Sequence, residues 1–377
     1  MKLLHVITTL DVGGAEMHLL AQVRGQCARG HEVRVAYLKG AGRLTEDFLA
    51  AGASWVGPVG ASLRTPWRLR AHFAWAELVH SHLLKADMIA ALCALLFGKR
   101  KRLVASKHND EQVLKRASVG RIHGWLGAIA RRTIVLSDHV GRFVQRYGRL
   151  HPDRITRIYY GLDPTPFEQA TRLPRADLDE LRLSFGFGAQ DVVFICVARF
   201  APQKAHDVLI RAFAGARGDH GGEHLRLLLV GDDPFGDGRQ RAEAVAGELG
   251  LIESGDVVFA GIRRDVPNLL AASQCFVMSS LWEGLGLVFL EAMATRLPVL
   301  ASDVSAVPEV VTPGQTGLLV PPRDVAALTG GFLRLAGDAD LRGRFGDAAA
   351  SSVRERFALD RMVDETLEVY REVLAAG

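Results

Sequence analysis

Residues 279–292 read Ser279-Ser280-Leu281-Trp282-Glu283-Gly284-Leu285-Gly286-Leu287-Val288-Phe289-Leu290-Glu291-Ala292, and this stretch decides the fold. Its pattern predicts the end of a strand, a glycine turn and the start of a helix. Gly284 and Gly286 let backbone amides approach a ligand, and the helix start adds partial positive charge that suits phosphate. Glu283 falls in the turn and Glu291 one to two turns into the helix, where carboxylates suit the hydroxyls of a sugar or ribose. A glutamate at a helix start is also an ordinary partner of the helix dipole.

The same strand, turn and helix pattern recurs along the whole chain. In the N-terminal half, strands are predicted at Leu3–Thr8, Glu32–Leu38, Leu78–His82, Arg102–His108, Arg132–Ser137 and, before a linker, Ile155–Tyr160. Helices are predicted between them at Glu16–Ala28, Lys85–Phe97 and Glu111–Ala130. In the C-terminal half, strands are predicted at Val192–Ala198, Leu225–Val230, Val257–Ala260, Cys275–Ser279 and Pro298–Ala301, followed by three helices broken near Gly337 and Leu359. The alternation predicts an α/β protein with two doubly wound parallel sheets in tandem.

The composition is that of an ordinary globular chain of two domains. The 377 residues exceed the usual size of one α/β core, and 49% are hydrophobic against 23% charged. The opening apolar run lacks a cleavage pattern and is read as a strand, and Met88–Phe97 is far too short to span a membrane. We therefore expect a cytoplasmic location. The four cysteines lack metal or disulfide spacing and are expected to be buried thiols.

The two halves carry opposite charge. Residues 1–165 hold 25 Lys and Arg against 12 Asp and Glu, whereas residues 166–377 hold 21 against 30. The basic half favours an anionic partner, which can be nucleic acid, an anionic membrane surface or a phosphorylated substrate. No aromatic-interleaved RNA motif or recognition helix occurs, so nucleic acid is the least favoured of the three.

Two permanent cations follow the first strand of the C-terminal half. Arg199 and Lys204 lie five residues apart across a turn, where both can reach one diphosphate. A diphosphate leaving group needs a divalent metal or fixed cations, and these two side chains supply a forked donor and a point charge. An isolated pair of this kind is equally typical of a surface ion pair or a helix cap.

Taken together, these motifs closely resemble the retaining glycosyltransferases of family four, over nearly the whole chain. The resemblance rests on spaced glutamates, the cation pair and three further stretches, namely Glu283 with Glu291, Arg199 with Lys204, Gly13-Gly14-Ala15-Glu16, Pro308-Glu309-Val310-Val311 and Gly317-Leu318-Leu319-Val320. It implies a GT-B fold, in which two Rossmann-like domains face each other across a cleft. The expected division is 1–165 for the acceptor domain, 166–358 for the nucleotide-sugar domain and 359–377 for a C-terminal helix that packs back toward the N-terminal domain.

The resemblance also implies a role for each matching residue. Arg199 and Lys204 would hold the diphosphate, Glu291 the ribose and Glu283 the transferred sugar. His108 would face the reacting sugar, although a lone histidine is more often a packing residue and His80 and His82 end a strand nearby. The implied catalytic residues are His108, Arg199, Lys204 and Glu283, and the implied sugar-donor site is Gly13, Gly14, Arg199, Lys204, Glu283, Gly284, Leu285, Gly286 and Glu291.

The implied reaction retains the anomeric configuration and uses a UDP- or GDP-sugar as substrate, without cofactor or metal. The Asp-x-Asp pairs at Asp177/Asp179 and Asp338/Asp340 lie away from predicted strand ends and are attributed to chance. Asp232-Asp233 follows a strand and leaves a weak metal role open. Two carboxylates also suit glycoside hydrolysis, but the strand, glycine turn and helix favour a nucleotide.

The acceptor is expected on the basic N-terminal domain. A predicted helix bearing Ile122 and Trp125 is surrounded by basic residues, and the hypothesis is peripheral docking on an anionic membrane with a lipid-linked or cell-surface polysaccharide acceptor. The alternative is a solvated basic face over ordinary core residues. Two other functions remain open, a nucleotide-sugar epimerase of the same architecture and a module that binds nucleotide sugar without turnover.

Overall fold

The computed structural model describes residues 1–219, 222–233 and 236–376. The chain divides into two compact units. The N-terminal unit consists of Met1–Leu162 together with the stretch that begins at Phe357, and the C-terminal unit is Asp163–Arg356. Each unit is built on one parallel sheet with helices between its strands, which confirms the predicted α/β class with two parallel sheets. Within the described residues, no helix has the length and apolar character needed to cross a bilayer.

The N-terminal unit has a seven-stranded sheet in the order β3-β2-β1-β4-β5-β6-β7. Its strands are β1 (Lys2–Thr9), β2 (Glu32–Lys39), β3 (Trp55–Pro58), β4 (Leu78–His82), β5 (Leu103–Lys107), β6 (Arg132–Val135) and β7 (Ile155–Arg157). Its connecting helices are α1 (Gly14–Ala28), α2 (Thr45–Ala50), α3 (Thr65–Trp75), α4 (Leu84–Leu96), α5 (Ala117–Gly127) and α6 (Asp138–Arg146), with 3₁₀ turns at Arg100–Arg102, Gln112–Lys115 and Pro152–Arg154.

The C-terminal unit has a six-stranded sheet in the order β10-β9-β8-β11-β12-β13. Its strands are β8 (Val192–Val197), β9 (Leu225–Val230), β10 (Val257–Gly261), β11 (Cys275–Met278), β12 (Val299–Ser302) and β13 (Gly317–Val320). Its helices are α7 (Thr165–Ala170), α8 (Arg175–Leu183), α9 (His206–Arg217), α10 (Gly238–Glu248), α11 (Val266–Ala271), α12 (Leu287–Ala294), α13 (Val307–Val310), α14 (Val325–Gly337) and α15 (Ala339–Arg356), with a 3₁₀ turn at Pro202–Lys204.

Both faces of the N-terminal sheet are buried, which explains why β1 is a nearly unbroken apolar run. Leu3 and Ile7 belong to one core cluster, and Leu4 and Val6 belong to another. Successive side chains of a strand point to opposite faces, so a strand with helices on both sides needs apolar residues at every position. Doubly wound packing therefore follows directly from the sequence of β1.

A last helix, α16 (Leu359–Ala375), belongs to the N-terminal unit. Its Val363 and Tyr370 lie in the same core cluster as Leu3 and Ile7. Gly25 of α1 allows this close packing, because a Cβ there would come within 2.5 Å of the Val363 Cγ2 atom. The helix thus completes one face of the N-terminal sheet.

The structure corrects several sequence-based boundaries. The predicted helix Glu111–Ala130 is wrong in extent, since a 3₁₀ turn ends at Lys115, Arg116 is extended and α5 starts at Ala117. The strand predicted to reach Tyr160 ends at Arg157. The predictions also lacked two short strands, β3 and β13, and five helices, namely α2, α3, α6, and, within the predicted linker, α7 and α8. Both strands lie at sheet edges and contain Gly or Pro, which weakens the sequence signal of a strand.

Each sheet has one point at which the strand order reverses. In the N-terminal sheet it lies between β1 and β4, and in the C-terminal sheet between β8 and β11. Ligands of open α/β sheets bind beyond the carboxyl ends of the strands at such a point. The loops after these four strands are therefore where function is expected.

Candidate active site

In the C-terminal unit, the loop after β8 carries both predicted cations. Arg199 is exposed, and no group among the described residues bonds its side chain. A hydrogen bond from the Phe200 amide to the Asp232 carbonyl, at 2.8 Å, holds this loop against the loop after β9. It then forms the 3₁₀ turn, which ends at Ala205 with a φ of 46° and turns the chain into α9. The loop therefore presents a free guanidinium on a fixed backbone.

Lys204 and Glu283 form a buried ion pair that joins the two loops at the reversal point. The Lys204 Nζ donates to the Glu283 Oε1 atom at 2.5 Å, and their side chains are 12% and 6% exposed. The Ser280 hydroxyl donates to the same oxygen at 2.6 Å. The other carboxylate oxygen, Oε2, accepts no hydrogen bond from a residue that the structure describes, and it remains available to a ligand.

Backbone contacts fix the two loops against each other. The Leu281 amide donates to the Gln203 carbonyl at 2.8 Å, and the Gln203 Nε2 donates to the Trp282 carbonyl at 2.6 Å. The Ser279 hydroxyl contacts the Lys204 carbonyl at 2.9 Å. The ion pair is therefore held in a rigid setting rather than between flexible surface chains.

The glycine turn and α12 form the third part of this site. Gly286 has a φ of 81°, and a Cβ there would lie 2.5 Å from a ring carbon of the fully buried Phe289. Both the left-handed backbone and the close ring favour glycine at this position. Gly284 and Leu285 of the same turn are buried.

Glu291 lies in the second turn of α12 with an unusual proton affinity. Burial raises the pKa of its carboxyl to about 7. Among the described residues no group hydrogen-bonds the carboxylate, although the side chain is not fully buried. A carboxyl that is partly removed from water without a partner suits a ligand hydroxyl, which would satisfy it.

The glycines after β1 stand in two different settings. A Cβ on Gly13 would come within 2.5 Å of the Glu16 Oε2 atom, so a side chain there would displace the Glu16 carboxylate. The Glu16 carboxylate is held there by the Thr9 hydroxyl, which donates at 2.5 Å. Beside Gly14 there is open space, so no packing contact among the described residues requires glycine at this position. An approach by a ligand fits Gly14 better than Gly13.

His108 follows β5, and both of its ring nitrogens already have protein partners. Nε2 lies 3.1 Å from the His82 Nδ1 atom, and Nδ1 lies 2.8 Å from the Tyr160 hydroxyl. The residue is 7% exposed, and burial lowers its pKa to about 4. Its predicted contact with the reacting sugar stays a prediction.

The acidic pairs considered for metal binding have structural partners. The Asp233 carboxylate accepts from the Gly238 amide at 3.3 Å and the Arg239 amide at 3.1 Å, and so caps α10. Asp338 accepts from the Leu341 amide at 2.8 Å, and Asp179 pairs with Arg175. One group of three metal-type side chains occurs within the described residues, His5, His80 and His82. All six of their ring nitrogens contact other side chains, which fits a hydrogen-bonded network.

The structure brings two of the predicted C-terminal residues, Lys204 and Glu283, together, but the contacts that Ser280 and Gln203 make beside them were not predicted. Ser280 and Gln203 lie within the quoted motifs, and their positions beside Glu283 and Lys204 were the available signal. In the N-terminal unit, the contacts of Thr9 and Tyr160 were not predicted. Both are polar residues at or just after a strand, and a polar residue at such a position is the sequence signal that could have identified them.

Two family profiles match the chain, one in each of its two halves. The profile of Glycosyltransferase Family 4 matches residues 12–165, and the profile of Glycosyl transferases group 1 matches residues 191–338. The chain is 31% identical over 314 residues to the D-inositol 3-phosphate glycosyltransferase of Saccharomonospora viridis, covering 80% of this chain and 71% of the relative. It is 29% identical over 320 residues to the alpha-maltose-1-phosphate synthase of Mycolicibacterium smegmatis, covering 80% of each.

A third relative, the alpha-D-kanosaminyltransferase of Streptomyces kanamyceticus, is 29% identical over 245 residues, which are 65% of this chain and 61% of the relative. Among solved structures, HepE of Anabaena in complex with UDP superposes with a TM-score of 0.86 at 22% identity, covering 99% of this chain and 100% of HepE. WaaG, a glycosyltransferase involved in lipopolysaccharide biosynthesis, has a TM-score of 0.71 at 19% identity, covering 98% and 99%. These likenesses agree on the fold, and with the profile matches they lead to one conclusion: the chain belongs to the family-four, GT-B-type glycosyltransferases.

Proposed function

We propose that the chain moves a sugar, with retention of anomeric configuration, from a UDP- or GDP-sugar to a hydroxyl of a lipid-linked or cell-surface polysaccharide precursor. The observation that carries the proposal is the buried pair of Lys204 and Glu283 at the reversal point of the C-terminal sheet, with Arg199, which has no partner among the described residues, in the same loop after β8. That arrangement offers fixed positive charge and an open carboxylate oxygen at one place. A nucleotide sugar needs both.

The cations suit the diphosphate. The Lys204 Nζ donates to the Glu283 Oε1 atom and to the Met278 Sδ atom, 3.8 Å away, which leaves one N–H donor, while the Arg199 guanidinium is free among the described residues. Two fixed cations stabilise the charge that develops as the diphosphate leaves, and they do so without a divalent ion. This is the basis for proposing metal-independent transfer.

The carboxylates suit hydroxyls. Glu283 presents its Oε2 atom beside the glycine turn, where a Cβ on Gly286 would lie 3.8 Å away. We assign this oxygen to the transferred sugar. The carboxyl of Glu291, which has no described partner, is assigned to the ribose of the nucleotide.

The proposed reaction is a single displacement on one face. The acceptor hydroxyl forms a bond to the anomeric carbon while the bond from that carbon to the diphosphate oxygen breaks. The hydroxyl proton passes to the departing phosphate oxygen, so no protein base is required. Arg199 and Lys204 lower the barrier by holding the departing charge.

The comparisons support the nucleotide part of this proposal. Solved structures of HepE, similar to this chain in fold, contain UDP and UDP-glucose. The names of the curated relatives differ, being an alpha-D-kanosaminyltransferase, an alpha-maltose-1-phosphate synthase and a D-inositol 3-phosphate glycosyltransferase, and they do not share one acceptor. The acceptor of this chain is therefore proposed on other grounds, given below.

Thermal-shift measurements with UDP-, GDP- and ADP-sugars in EDTA test the sugar donor. We expect one nucleotide series to raise the Tm of the wild type, because a ligand of the folded state stabilises it by mass action. Glu291→Ala should lose this response, and Glu248→Ala, which removes an exposed carboxylate at the end of α10, should keep it. The proposal fails if no series raises the Tm.

Product analysis separates the three candidate functions. Transfer gives a new glycosidic linkage whose anomer, read by NMR, matches that of the sugar donor. An epimerase releases free sugar or an altered nucleotide sugar without an acceptor. A sensing module gives a Tm response and no turnover.

Exposed apolar and basic side chains of the N-terminal unit support a membrane-borne acceptor. On α5, Ile122 and Trp125 are 53% and 67% exposed, and on the adjoining α4, Leu96 is 60% exposed. Seven exposed basic residues belong to the same part of the chain, namely Arg100, Lys101, Arg102, Lys115, Arg116, Arg121 and Arg131. Apolar side chains flanked by cations are typical of surfaces that dock on anionic bilayers.

Vesicle co-sedimentation tests this docking. Binding to vesicles of anionic lipid should exceed binding to neutral vesicles and should weaken in high salt. Trp125→Glu should weaken partitioning at least about fivefold, since it removes an interfacial anchor and adds repulsion. Leu183→Glu, at a similarly exposed position in the C-terminal unit, is the matched control. Equal binding to neutral and anionic vesicles would overturn the electrostatic docking.

A further inference from the structure

Three histidines of the N-terminal unit form a row of hydrogen-bonded imidazoles under the strand ends. The His5 Nδ1 atom lies 2.9 Å from the His82 Nε2 atom, and the His82 Nδ1 atom lies 3.1 Å from the His108 Nε2 atom. One end of the row meets Gln26, whose Oε1 lies 2.9 Å from the His5 Nε2 atom. The other end meets the Tyr160 hydroxyl, 2.8 Å from the His108 Nδ1 atom. All three imidazoles are buried.

The proton positions along the row follow from its end at Gln26. An amide oxygen only accepts, so the His5 Nε2 must carry the hydrogen and, in a neutral ring, the His5 Nδ1 must be bare. His82 therefore donates from its Nε2 to His5 and accepts at its Nδ1. By the same step His108 donates from its Nε2 to His82 and accepts the Tyr160 hydroxyl at its Nδ1. Each ring is thus neutral and in the same tautomer.

In the same orientation, the Gln26 amide makes a second contact. Its Nε2 donates to the Tyr370 hydroxyl at 3.3 Å, and the Gln22 Nε2 donates to the same hydroxyl at 3.0 Å. With two N–H donors facing it, the Tyr370 hydroxyl gives its own proton to the His80 Nδ1 atom, 2.5 Å away. His80 then donates from its Nε2 to the Ser106 hydroxyl at 2.7 Å. Each side chain in this second branch therefore has a hydrogen-bond partner.

Burial agrees with neutral rings throughout the row. It lowers the pKa of His5 and of His108 to about 4, and that of His82 well below its ordinary value. A ring that gained a second proton would turn an accepting nitrogen into a donor and break one bond of the row. The geometry and the burial therefore both resist protonation.

We propose that Gln26 and His82 are positioning residues for His108, with Gln26 setting the tautomer of His108 through two intervening imidazoles. His108 is thereby held with its Nδ1 as the acceptor for Tyr160 and its ring in one orientation. The consequence for catalysis rests on the proposed function, in which His108 faces the reacting sugar. The predicted tautomer of His108 does not depend on the proposed function.

NMR of the full chain with ¹⁵N-labelled histidine reads the tautomers directly, through two-bond couplings between ring nitrogens and ring protons near pH 7. We expect His5, His82 and His108 of the wild type to be neutral with the hydrogen on Nε2. Substitution at each histidine assigns its signals. Finding the hydrogen on Nδ1 of these rings in the wild type would overturn the proposal without any variant of Gln26.

Variants of the two glutamines on α1 then test the control by Gln26. Gln26→Met removes the acceptor and should move His5, His82 and His108 toward the Nδ1-protonated tautomer. Gln26→Glu keeps an acceptor oxygen and should restore the wild-type tautomer. Gln22→Met removes a bond to Tyr370 but none to the row, and it should leave the tautomers unchanged. Unchanged tautomers in Gln26→Met would overturn the proposal.

Kinetics of the same variants connect the row to transfer. We expect kcat of Gln26→Met to fall about tenfold with little change in KM for the nucleotide sugar, as for other residues that act through a functional group. Gln26→Glu should recover kcat. If no variant or wild type transfers sugar, the proposed function fails while the NMR result still decides the tautomer.

Discussion

The two sheets of this protein differ in the polar groups at their reversal points. In the N-terminal unit, the groups near the strand ends include a row of imidazoles, an amide and a hydroxyl that bond one another from Gln26 to Tyr160, and a buried ion pair of Lys107 with Asp87. In the C-terminal unit, the equivalent loops carry the ion pair of Lys204 with Glu283, and Arg199, whose side chain has no partner among the described residues. The members of the imidazole row satisfy one another, whereas Arg199 and the second carboxylate oxygen of Glu283 are available to a ligand.

The contrast runs against the net charge of the two halves. The N-terminal half is basic overall, yet the imidazoles buried at its reversal point are neutral, and the C-terminal half is acidic overall, yet Arg199 and Lys204 follow β8 at its reversal point. The proposed anion site therefore rests on cations at a strand end and not on net charge. Net charge instead affects long-range attraction and association with charged surfaces.

The largest expected effect of this contrast is acid lability of the N-terminal unit. Below about pH 6.5 the unfolded chain protonates its histidines, whereas His5 and His108 stay neutral in the folded chain until about pH 4. The unfolded state then binds more protons, so the free energy of unfolding falls as the pH drops through that window. A depression of this size is worth on the order of 3 kcal/mol per fully buried group. In the C-terminal unit, His206 has a pKa lowered to about 4, and Glu291 acts in the opposite direction.

Hydrogen exchange with mass spectrometry on the intact chain measures this difference. Near pH 4.5, after correction for intrinsic exchange rates, amides of β1 and β4 should lose far more protection than amides of β8 and β9. Values near pH 7 provide the reference. Equal loss in both units would mean that the buried imidazoles do not distinguish them.

The second expected effect concerns the ion pair of Lys204 with Glu283, whose contributions to stability and to sugar transfer need separate measurements. Lys204→Met removes a cation and leaves the Glu283 carboxylate buried with only the Ser280 hydroxyl, so stability should fall by about 3 to 5 kcal/mol. Transfer, as kcat/KM, should fall roughly 100- to 1000-fold through loss of charge stabilisation. Urea denaturation and a transfer assay give the two quantities.

The double variant Lys204→Met with Glu283→Gln is the control. Removing both charges should recover most of the lost stability, since the amide oxygen introduced by Glu283→Gln can still accept from Ser280, but it should leave transfer impaired. If the double variant regains transfer together with stability, the pair is structural and the cations do not act on the sugar donor.

The sequence allowed the C-terminal site to be predicted because its residues are close in the chain and chemically distinctive. A strand, a glycine turn and a helix with spaced charges occupy 198–205 and 279–292, and parallel strands bring their carboxyl ends to one edge. The pairing of Lys204 with Glu283 was not predicted, since it depends on the neighbouring positions of β8 and β11 in the sheet. Likewise α5 begins later than predicted because Arg116 is extended, which periodicity does not reveal.

The imidazole row was beyond sequence reasoning for a different reason. Its members come from β1, α1, β4, the loop after β5 and the chain after β7, and they meet only because β1 and β4 are adjacent in the sheet. Strand register places His5 beside His80 and brings His82 within reach. Bonded partners in the row are separated by 21 to 77 residues in the chain, and such separations carry no local periodic signal.

The smallest effect, and the most specific to the C-terminal unit, is the pH response of Glu291. Because burial raises the pKa of this carboxyl to about 7, the folded state keeps its proton between about pH 4.5 and 7 while the unfolded state loses it. The free energy of unfolding therefore falls as the pH rises through this range, by roughly 2 kcal/mol once partial exposure is allowed for.

Glu291→Gln cannot lose a proton, so it should gain stability relative to the wild type between about pH 5 and pH 8, measured by urea denaturation. Glu248→Gln should show no such gain. A bound nucleotide sugar should lessen the wild-type response if its ribose hydroxyls bond the ionised carboxylate, which would link this pH slope to the proposed site.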